Sequence, residues 1–304
     1  GSISSRRTMR GSRDATGRSR PPGTGSRVGP LELLEPLGRG GAGVVYKARH
    51  TLLGRLSAVK LIPLSGSESQ QQRLKQRFER EVVSQARLDH PGIVKVHAIF
   101  DAPGALAFEM ELVEGESLAE RLAREERLDW REGVLLVARV ARALAHAHGR
   151  GVVHRDVKPQ NILLRRGDGS PLLADFGVAR LLDQSSSLTC EGVLLGTPAY
   201  MAPECLDGAA GPPADTYALG VVLHEVLAGE VPFAGATIFE LFARATAGKR
   251  ARLDVPGLPQ IEAVLDRALA PVRERYESVA DLAEDLEEIV ATGAARTPAR
   301  RRPS

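Results

Sequence analysis

Four side chains near the middle of the chain could do chemistry together: Asp156, Lys158 and Asn161 in "VVHRDVKPQNILL", and Asp175 in "LADFGVAR". Asp156 stands five residues before Asn161, with Lys158 between them. A carboxylate can take the proton of an acceptor hydroxyl, and a lysine can steady a terminal phosphate. An amide oxygen and a second carboxylate can ligate Mg²⁺. That set, in that order, predicts phosphoryl transfer.

Such chemistry needs a cover for the phosphates. The stretch "LGRGGAGVVYKARH", Leu37 to His50, holds Gly38, Gly40 and Gly43 in the spacing GxGxxG, a weak signal by itself in a chain with 31 glycines. A dinucleotide loop would have to open a helix. The residues after Gly43 are instead "VVYKARH", β-branched and aromatic with no helical period. The glycines therefore turn a hairpin, and Val45 completes the fuller pattern GxGxxGxV. Lys60, in "SAVK" on the third strand, is placed to meet the inner phosphates. Glu81, on the next helix, is the acid expected to fix it. Read alone, Lys60 would be an ordinary exposed strand residue.

The elements that must position these groups can be read from pattern. From Pro30 to about Met110 short apolar runs alternate with turn residues, and one helical stretch, "LKQRFEREVVSQARL", puts Leu74, Phe78 and Val82 on one face. From Val113 onward helices dominate. Ser117 with Glu120 and Ser278 with Asp281 have capping-box spacing. "GVLLVARVARALAHAHGRG" reads as a long buried helix with a glycine cap, and "ADTYALGVVLHEVLAG" as another. Between those two, residues 151–213 read as irregular, and long irregular segments in compact domains usually carry function.

Composition bounds the rest. The chain has 304 residues, 43% apolar and 26% charged, the balance of a globular protein with a sizeable core. A net charge of +3 suggests a nucleic-acid binder until it is located: residues 1–29 carry +6, residues 291–304 carry +4, and the middle carries −7. The basic character belongs to the tails, whose Ser, Gly, Arg and Pro content cannot offset the entropy of ordering, so both are expected to be disordered. Only Cys190 and Cys205 are present, in neither a disulfide framework nor a zinc spacing, so both are read as reduced thiols. No apolar run approaches the roughly 18 residues of a membrane span.

With these residues in hand, the chain resembles the eukaryotic-like protein kinase family, specifically the bacterial Ser/Thr kinases of the Hanks type. The resemblance covers about Gly29 to Val290 through "GRGGAGVV", "AVK", "HRDVKPQN", "DFG", "GTPAYMAPE" and "DTYALG". It implies an α+β, bilobal protein kinase fold: a small antiparallel β-sheet N-lobe with one long helix (29–110), a hinge (111–115) and a larger helical C-lobe (116–290). Residues 1–28 and 291–304 would be leader and tail.

The resemblance also implies roles. Asp156 would be the catalytic base, Lys158 the γ-phosphate clamp, and Asn161 and Asp175 the ligands of Mg²⁺ or Mn²⁺. Lys60 paired with Glu81 would hold the α- and β-phosphates of ATP. Leu37, Gly38, Gly40, Gly43, Val45 and Ala58 would enclose the nucleotide, with Met110 as gatekeeper and the Glu111 and Val113 backbones bonding adenine. Thr197 would orient Asp156 and Lys158, which with "KP" implies Ser or Thr acceptors on protein substrates. Arg155 would receive a phosphate from the activation loop, where Thr189, then Ser187, Ser186 and Ser185, are the sites expected to be phosphorylated in trans. Glu204 paired with Arg275, and Asp215 beneath the "HRD" backbone, would be scaffold. A homodimer through the smaller lobe, and a cytoplasmic location with a membrane tether outside this sequence, are further implications.

Three departures stand out: Ala42 at the tip of the glycine loop, a short segment before Arg275, and Gln85 one turn after Glu81, where an apolar residue is usual. His146 and His148 read as satisfied core or boundary residues. Two rival functions are a pseudokinase scaffold, which would be expected to have lost Lys60, Asp156, Asn161 or Asp175, and a small-molecule phosphotransferase, which would not need an activation segment.

Overall fold

The computed structural model describes residues 22–40, 43–176, 198–208, 210–235, 237–248, 250–253 and 259–292. The chain divides into two compact units, the first reaching Val82 and including Val96–Leu112, the second comprising Val83–Lys95 and everything from Val113.

The first unit is built on a six-stranded antiparallel sheet. Its strands are β1 (Arg27–Val28), β2 (Leu31–Gly40), β3 (Gly43–His50) and β4 (Leu56–Pro63), then, after helix α1 (Glu68–Ala86), β5 (Val96–Ala102) and β6 (Ala105–Met110). The spatial order is β1-β2-β3-β4-β6-β5. The chain is thus already strand at Arg27–Val28, short of the domain start expected at 29: Val28 pairs with Leu31 and is 1% exposed. Residues 1–21 lie outside the described residues.

Alternation along the strands gives the sheet two apolar faces. One face gathers Leu31, Leu33, Tyr46, Ala48, Val59, Leu61 and Ala107 into a core. The other carries Ala58 and Lys60, because on central strand β4 these alternate with Val59 and Leu61. The residues directly opposite Lys60 are Val45 on β3 and Phe108 on β6. Phe108 meets Phe78 of α1 at 5.8 Å between ring centroids, and Phe78 is fully buried. Helix α1 is polar along most of its length and would be marginal alone. Burial of Phe78 contributes about 1.5–3 kcal/mol and the ring contact about 0.5–1.5 more. This docking sets α1 on the same face as Lys60.

The second unit is mainly helical. After β7 (Gly115–Ser117) come α2 (Leu118–Glu125) and α3 (Trp130–His148), then a hairpin of β8 (Ile162–Arg165) and β9 (Pro171–Leu173). Beyond these lie α4 (Pro212–Ala228), α5 (Ile238–Thr246), α6 (Pro259–Ala268) and α7 (Val279–Thr292). Helix α4 is apolar all round and buries residues on every face, as expected for the central helix of a core. Buried side chains of α3, α6 and α7 join it in one cluster.

Local signals explain the helix starts. Ser117 and Glu120 make a full capping box: Glu120 N donates to Ser117 Oγ at 3.2 Å, and Ser117 N donates to Glu120 Oε2 at 2.7 Å. Only half of the expected box forms at Ser278, whose N–H reaches Asp281 Oδ2 while its hydroxyl accepts from Ala280 N instead. The glycine cap after α3 also differs in detail. Gly149 keeps a right-handed φ of −61°, and the left-handed residue is Gly151, at φ +72°.

Residues 151–213 read as irregular in the sequence, yet the part that is described contains a β-hairpin. Strands β7-β8-β9 form a small antiparallel sheet in which Ile162 pairs with Leu173. Strands of four and three residues are too short for an alternation pattern to reveal.

Candidate active site

The β8–β9 hairpin brings the polar groups together. Asn161 immediately precedes β8 and Ala174–Asp175 immediately follows β9, so the Ile162–Leu173 pairing sets both at the same end of the hairpin. Ala174 N donates to Asn161 O at 2.9 Å. Strand pairing thus brings together two backbone positions fourteen apart in sequence.

Asp156 is held from two sides. Lys158 Nζ lies 2.7 Å from Asp156 Oδ2 and 2.8 Å from Oδ1, and Asn161 Nδ2 donates to Asp156 Oδ2 at 2.9 Å and to its backbone carbonyl at 2.7 Å. With Nδ2 turned to Asp156, Oδ1 is the Asn161 atom suited to ligate a cation. Asp156 and Lys158 keep about a fifth of their side-chain surface exposed, enough to meet a substrate.

The loop before Asp156 is strained and then pinned. Arg155 has φ +66° and Asp175 has φ +65°, a left-handed region that roughly costs 1–3 kcal/mol for residues with a side chain. Asp215, 1% exposed at the start of α4, accepts His154 N at 2.8 Å and Arg155 N at 2.7 Å. It also takes a hydrogen bond from His148 Nε2 at 2.8 Å. A buried carboxylate with three donors is satisfied, and it holds two consecutive backbone amides in the orientation the strain requires.

His154 links this loop to the Asp175 segment. Its Nδ1 accepts from Asp156 N at 3.2 Å, so its proton sits on Nε2, which donates to Ala174 O at 2.9 Å. The fully buried ring also lies 4.5 Å from that of Phe176. Sequence reasoning assigns neither His148 nor His154 to the site. The six-residue spacing between them carries no signal, since their roles depend on Asp215 and Ala174 from distant parts of the chain.

Glu204 and Arg275 form an ion pair at 2.6 Å, and Arg275, almost fully buried, also donates to the Pro213 and Ala270 carbonyls. Tyr200 OH donates to Glu225 Oε2 at 2.6 Å, and burial raises the Glu225 carboxyl above its ordinary range. Burial likewise pushes the Cys205 thiol up to about 11, which argues against a reactive thiolate.

In the first unit, Gly38 pairs with Val45 and Gly40 with Gly43 across the β2–β3 hairpin. A Cβ on Gly43 would stand 2.0 Å from Leu61 O, at φ +137°, so only glycine fits there. Leu37 is 49% exposed on β2. Ala58 and Met110 are buried partners across β4 and β6, and Lys60 is 5% exposed. Glu81 lies on α1 one turn beyond Phe78, and Glu111 follows β6. Val113 opens the second unit's main segment. Gln85 is 3% exposed, and its Oε1 has no partner among the described residues. Ala42, Ser185, Ser186, Ser187, Thr189, Cys190 and Thr197 lie outside the described residues.

The described residues contain no group of three His, Cys, Asp or Glu side chains suited to a metal ion. The donors Asn161 Oδ1 and the Asp175 carboxylate are two hard oxygens. They suit an ion that takes its remaining ligands from phosphate and water, as Mg²⁺ does. No helix among the described residues is long and apolar enough to cross a membrane.

Comparison with known proteins bears on this geometry. Residues 31–301 match the protein kinase domain family. The serine/threonine-protein kinase PknH of Mycobacterium bovis is 39% identical over 264 residues, 85% of this chain and 44% of the relative. PknD of Mycobacterium tuberculosis is 37% identical over 281 residues, 92% of this chain and 39% of the relative. PkaA of Streptomyces coelicolor is 37% identical over 282 residues, 88% of this chain and 51% of the relative. The chain spans about half or less of the length of these curated relatives.

Proposed function

Because this chain belongs to the protein kinase domain family, we propose that it transfers the γ-phosphoryl group of ATP to Ser and Thr hydroxyls of protein substrates. The observation that carries the proposal is the fixing of Asp156 by Lys158 and Asn161. A carboxylate held in this way can accept the hydrogen bond of an incoming hydroxyl and take its proton as the new P–O bond forms. Lys158, 2.7 Å away, is close enough to steady the transferring group. The named activity of the relatives supports Ser and Thr acceptors.

Mg²⁺ or Mn²⁺ would be held by Asn161 and Asp175, and when bound would offset negative charge on the phosphates. Lys60 is proposed to hold the α- and β-phosphates with Glu81 as its acid, supported by the docking of α1 on the Lys60 face of the sheet through Phe78 and Phe108. Leu37, Val45, Ala58 and Met110 would enclose the adenine, and the Glu111 and Val113 backbones would bond its edge. Gly38, Gly40 and Gly43 would let backbone amides approach the phosphates. Arg155 would receive a phosphate on Thr189 or on Ser185, Ser186 or Ser187, added in trans, and Thr197 would orient Asp156. ATP supply makes the cytoplasm the proposed location.

The test is incubation with labelled ATP and Mg²⁺ beside the Asp156→Asn variant, with the products mapped. The expected result is label on the protein itself and on a generic basic protein, reduced by about 10²–10⁴-fold in the variant. No label from the parent protein would refute the kinase reading. Label that never falls on residues 185–197 would refute only the activation-loop proposal.

A further inference from the structure

The turn after α1 is bonded to the strand that leads into Asp175. His90 Nδ1 accepts a hydrogen bond from Gly92 N at 3.0 Å, and His90 O accepts from Ile93 N at 3.0 Å. The same turn then joins the last residue of β9: Leu173 N donates to Gly92 O and Val94 N donates to Leu173 O, each at 2.9 Å. Asp175 follows almost at once, in a left-handed conformation, φ +65°, that persists only where the surroundings enforce it. Its segment is fixed through Ala174, which bonds Asn161 and His154, and through Leu173, which bonds the His90 turn.

This turn is seated on α3. A Cβ on Gly92 would stand 3.2 Å from the Ala143 Cβ and 3.2 Å from His90 Nδ1, so the backbone there lies close to both. The His90 ring is 4.9 Å from that of His146, whose Nδ1 faces Arg150 Nη1 at 3.3 Å. Asp89 is the acid beside the pair, and its carboxylate is shared with Lys95 at 3.3 Å. Only a neutral imidazole has a nitrogen that accepts a hydrogen bond. A proton on His90 Nδ1 would set donor against donor at Gly92 N and add positive charge beside His146 and Arg150. Burial, then those two neighbours, hold the His90 ring below the ordinary histidine range.

We propose that His90 is a positioning residue for Asp175: its neutral ring latches the contact between Gly92 and Leu173 that fixes the Asp175 segment, and a proton on the ring releases it. The role rests on the reading of Asp175 as a ligand of the Mg²⁺ that accompanies ATP, but the latch itself can be observed without turnover. The ring stays neutral in the closed turn and titrates freely in the open one, so the latch is fully closed above the ordinary histidine pKa and weakens as pH falls below it. At pH 5.5, about one unit below that value of about 6.5, the opening constant should have risen about five- to tenfold.

The test compares the full chain with His90→Asn and His90→Phe. Asparagine can accept from the amide two residues on, as in an Asx turn, and has no proton to gain in this range. Phenylalanine keeps a ring against His146 but offers no acceptor. Hydrogen exchange of the Leu173 and Val94 amides is followed by ¹⁵N–¹H NMR at pH 7.5 and pH 5.5, with the buried helix α4 as the control for global unfolding. Relative to α4, protection in the parent should fall about five- to tenfold between the two conditions, and in His90→Asn by less than about twofold. In His90→Phe it should already be about fivefold lower at pH 7.5, the loss of one hydrogen bond. The Mg²⁺ concentration for half-maximal phosphorylation should rise at least about threefold in His90→Phe, more than kcat falls, and stay within about twofold of the parent in His90→Asn. Should His90→Phe not fold, the parent against His90→Asn at pH 5.5 supplies the same comparison. Leu173 protection in the parent that does not change with pH relative to α4, or a response in His90→Asn equal to the parent's, would overturn the latch. A Mg²⁺ requirement unmoved while Leu173 protection falls would overturn its action on Asp175. A parent that transfers no phosphate refutes the kinase reading, and amide exchange still decides whether the latch exists.

Discussion

Replacing Asp215 by Asn changes one atom and tests how the Asp156 loop is held. The carboxylate accepts three hydrogen bonds, from His154 N and His148 Nε2 at Oδ2 and from Arg155 N at Oδ1. An asparagine can keep its oxygen at the Oδ2 position and satisfy two of these. Its NH₂ group then faces the Arg155 N–H, donor against donor. Loss of a hydrogen bond to a charged group costs roughly 1.5–3 kcal/mol, and a buried amide left unpaired adds roughly 1–3. The strain at Arg155, φ +66°, would relax and return part of this, so a net loss of about 3 kcal/mol is expected. For a unit of this size that corresponds to a fall of about 6–12 °C in melting temperature. Relaxation at Arg155 also moves Asp156, so kcat should fall at least about tenfold, while the KM for ATP changes less than about threefold, because Asp215 touches no proposed nucleotide contact. Urea and thermal unfolding with steady-state phosphorylation measure all three quantities. An Asp215→Asn protein that unfolds within about 0.5 kcal/mol of the parent and keeps its kcat would refute the reasoning.

Other consequences can be checked in parallel. Gly43→Ala places a Cβ 2.0 Å from Leu61 O, and should destabilise the sheet unit by about 3 kcal/mol or more. Gly40→Ala, with nothing within 4 Å of its Cβ, should cost less than about 1 kcal/mol, and chemical denaturation of the two variants gives the contrast. Glu204→Gln leaves the Arg275 guanidinium buried without its counter-charge and should cost about 3 kcal/mol, read from the urea midpoint at constant m-value. The rings of His90 and His146 lie 4.9 Å apart, tilted by 46°, and burial, then the neighbouring imidazole and Arg150 for His90, and Arg150 for His146, hold both below the ordinary histidine range. Their folded pKa values are depressed, so the unfolded chain binds protons first. Stability should therefore decline as pH falls below about 6.5, and His146→Phe should flatten that decline in unfolding curves taken from pH 7 to 5.

How much of the fold and the site is legible in the chain depends on the distance over which each feature is encoded. The capping box at Ser117, the hairpin made by the glycine run, and the apolar helix at residues 212–228 rest on residues within a turn or two of one another. Spacing alone is enough to write them down. The same holds for Asp156, Lys158 and Asn161, whose hydrogen bonds close over five residues. The β8–β9 hairpin escapes such reading because strands this short show no period, yet its register is what sets Asn161 beside Asp175.

What the sequence determined by itself was the inventory: which groups could carry a proton, a phosphate or a metal ion, and which segments were apolar enough to form a core. What only the tertiary structure decided was how those groups are held. The three donors of Asp215 come from the end of α3 and from the loop before Asp156, 60 or more residues away in sequence. The side chain of Arg250 is 3% exposed because Glu262 and Asp266, 12 and 16 positions further along, take its guanidinium. Hydrogen bonding and burial are properties of the assembled surroundings of an atom, and those surroundings are supplied by residues that no local spacing connects.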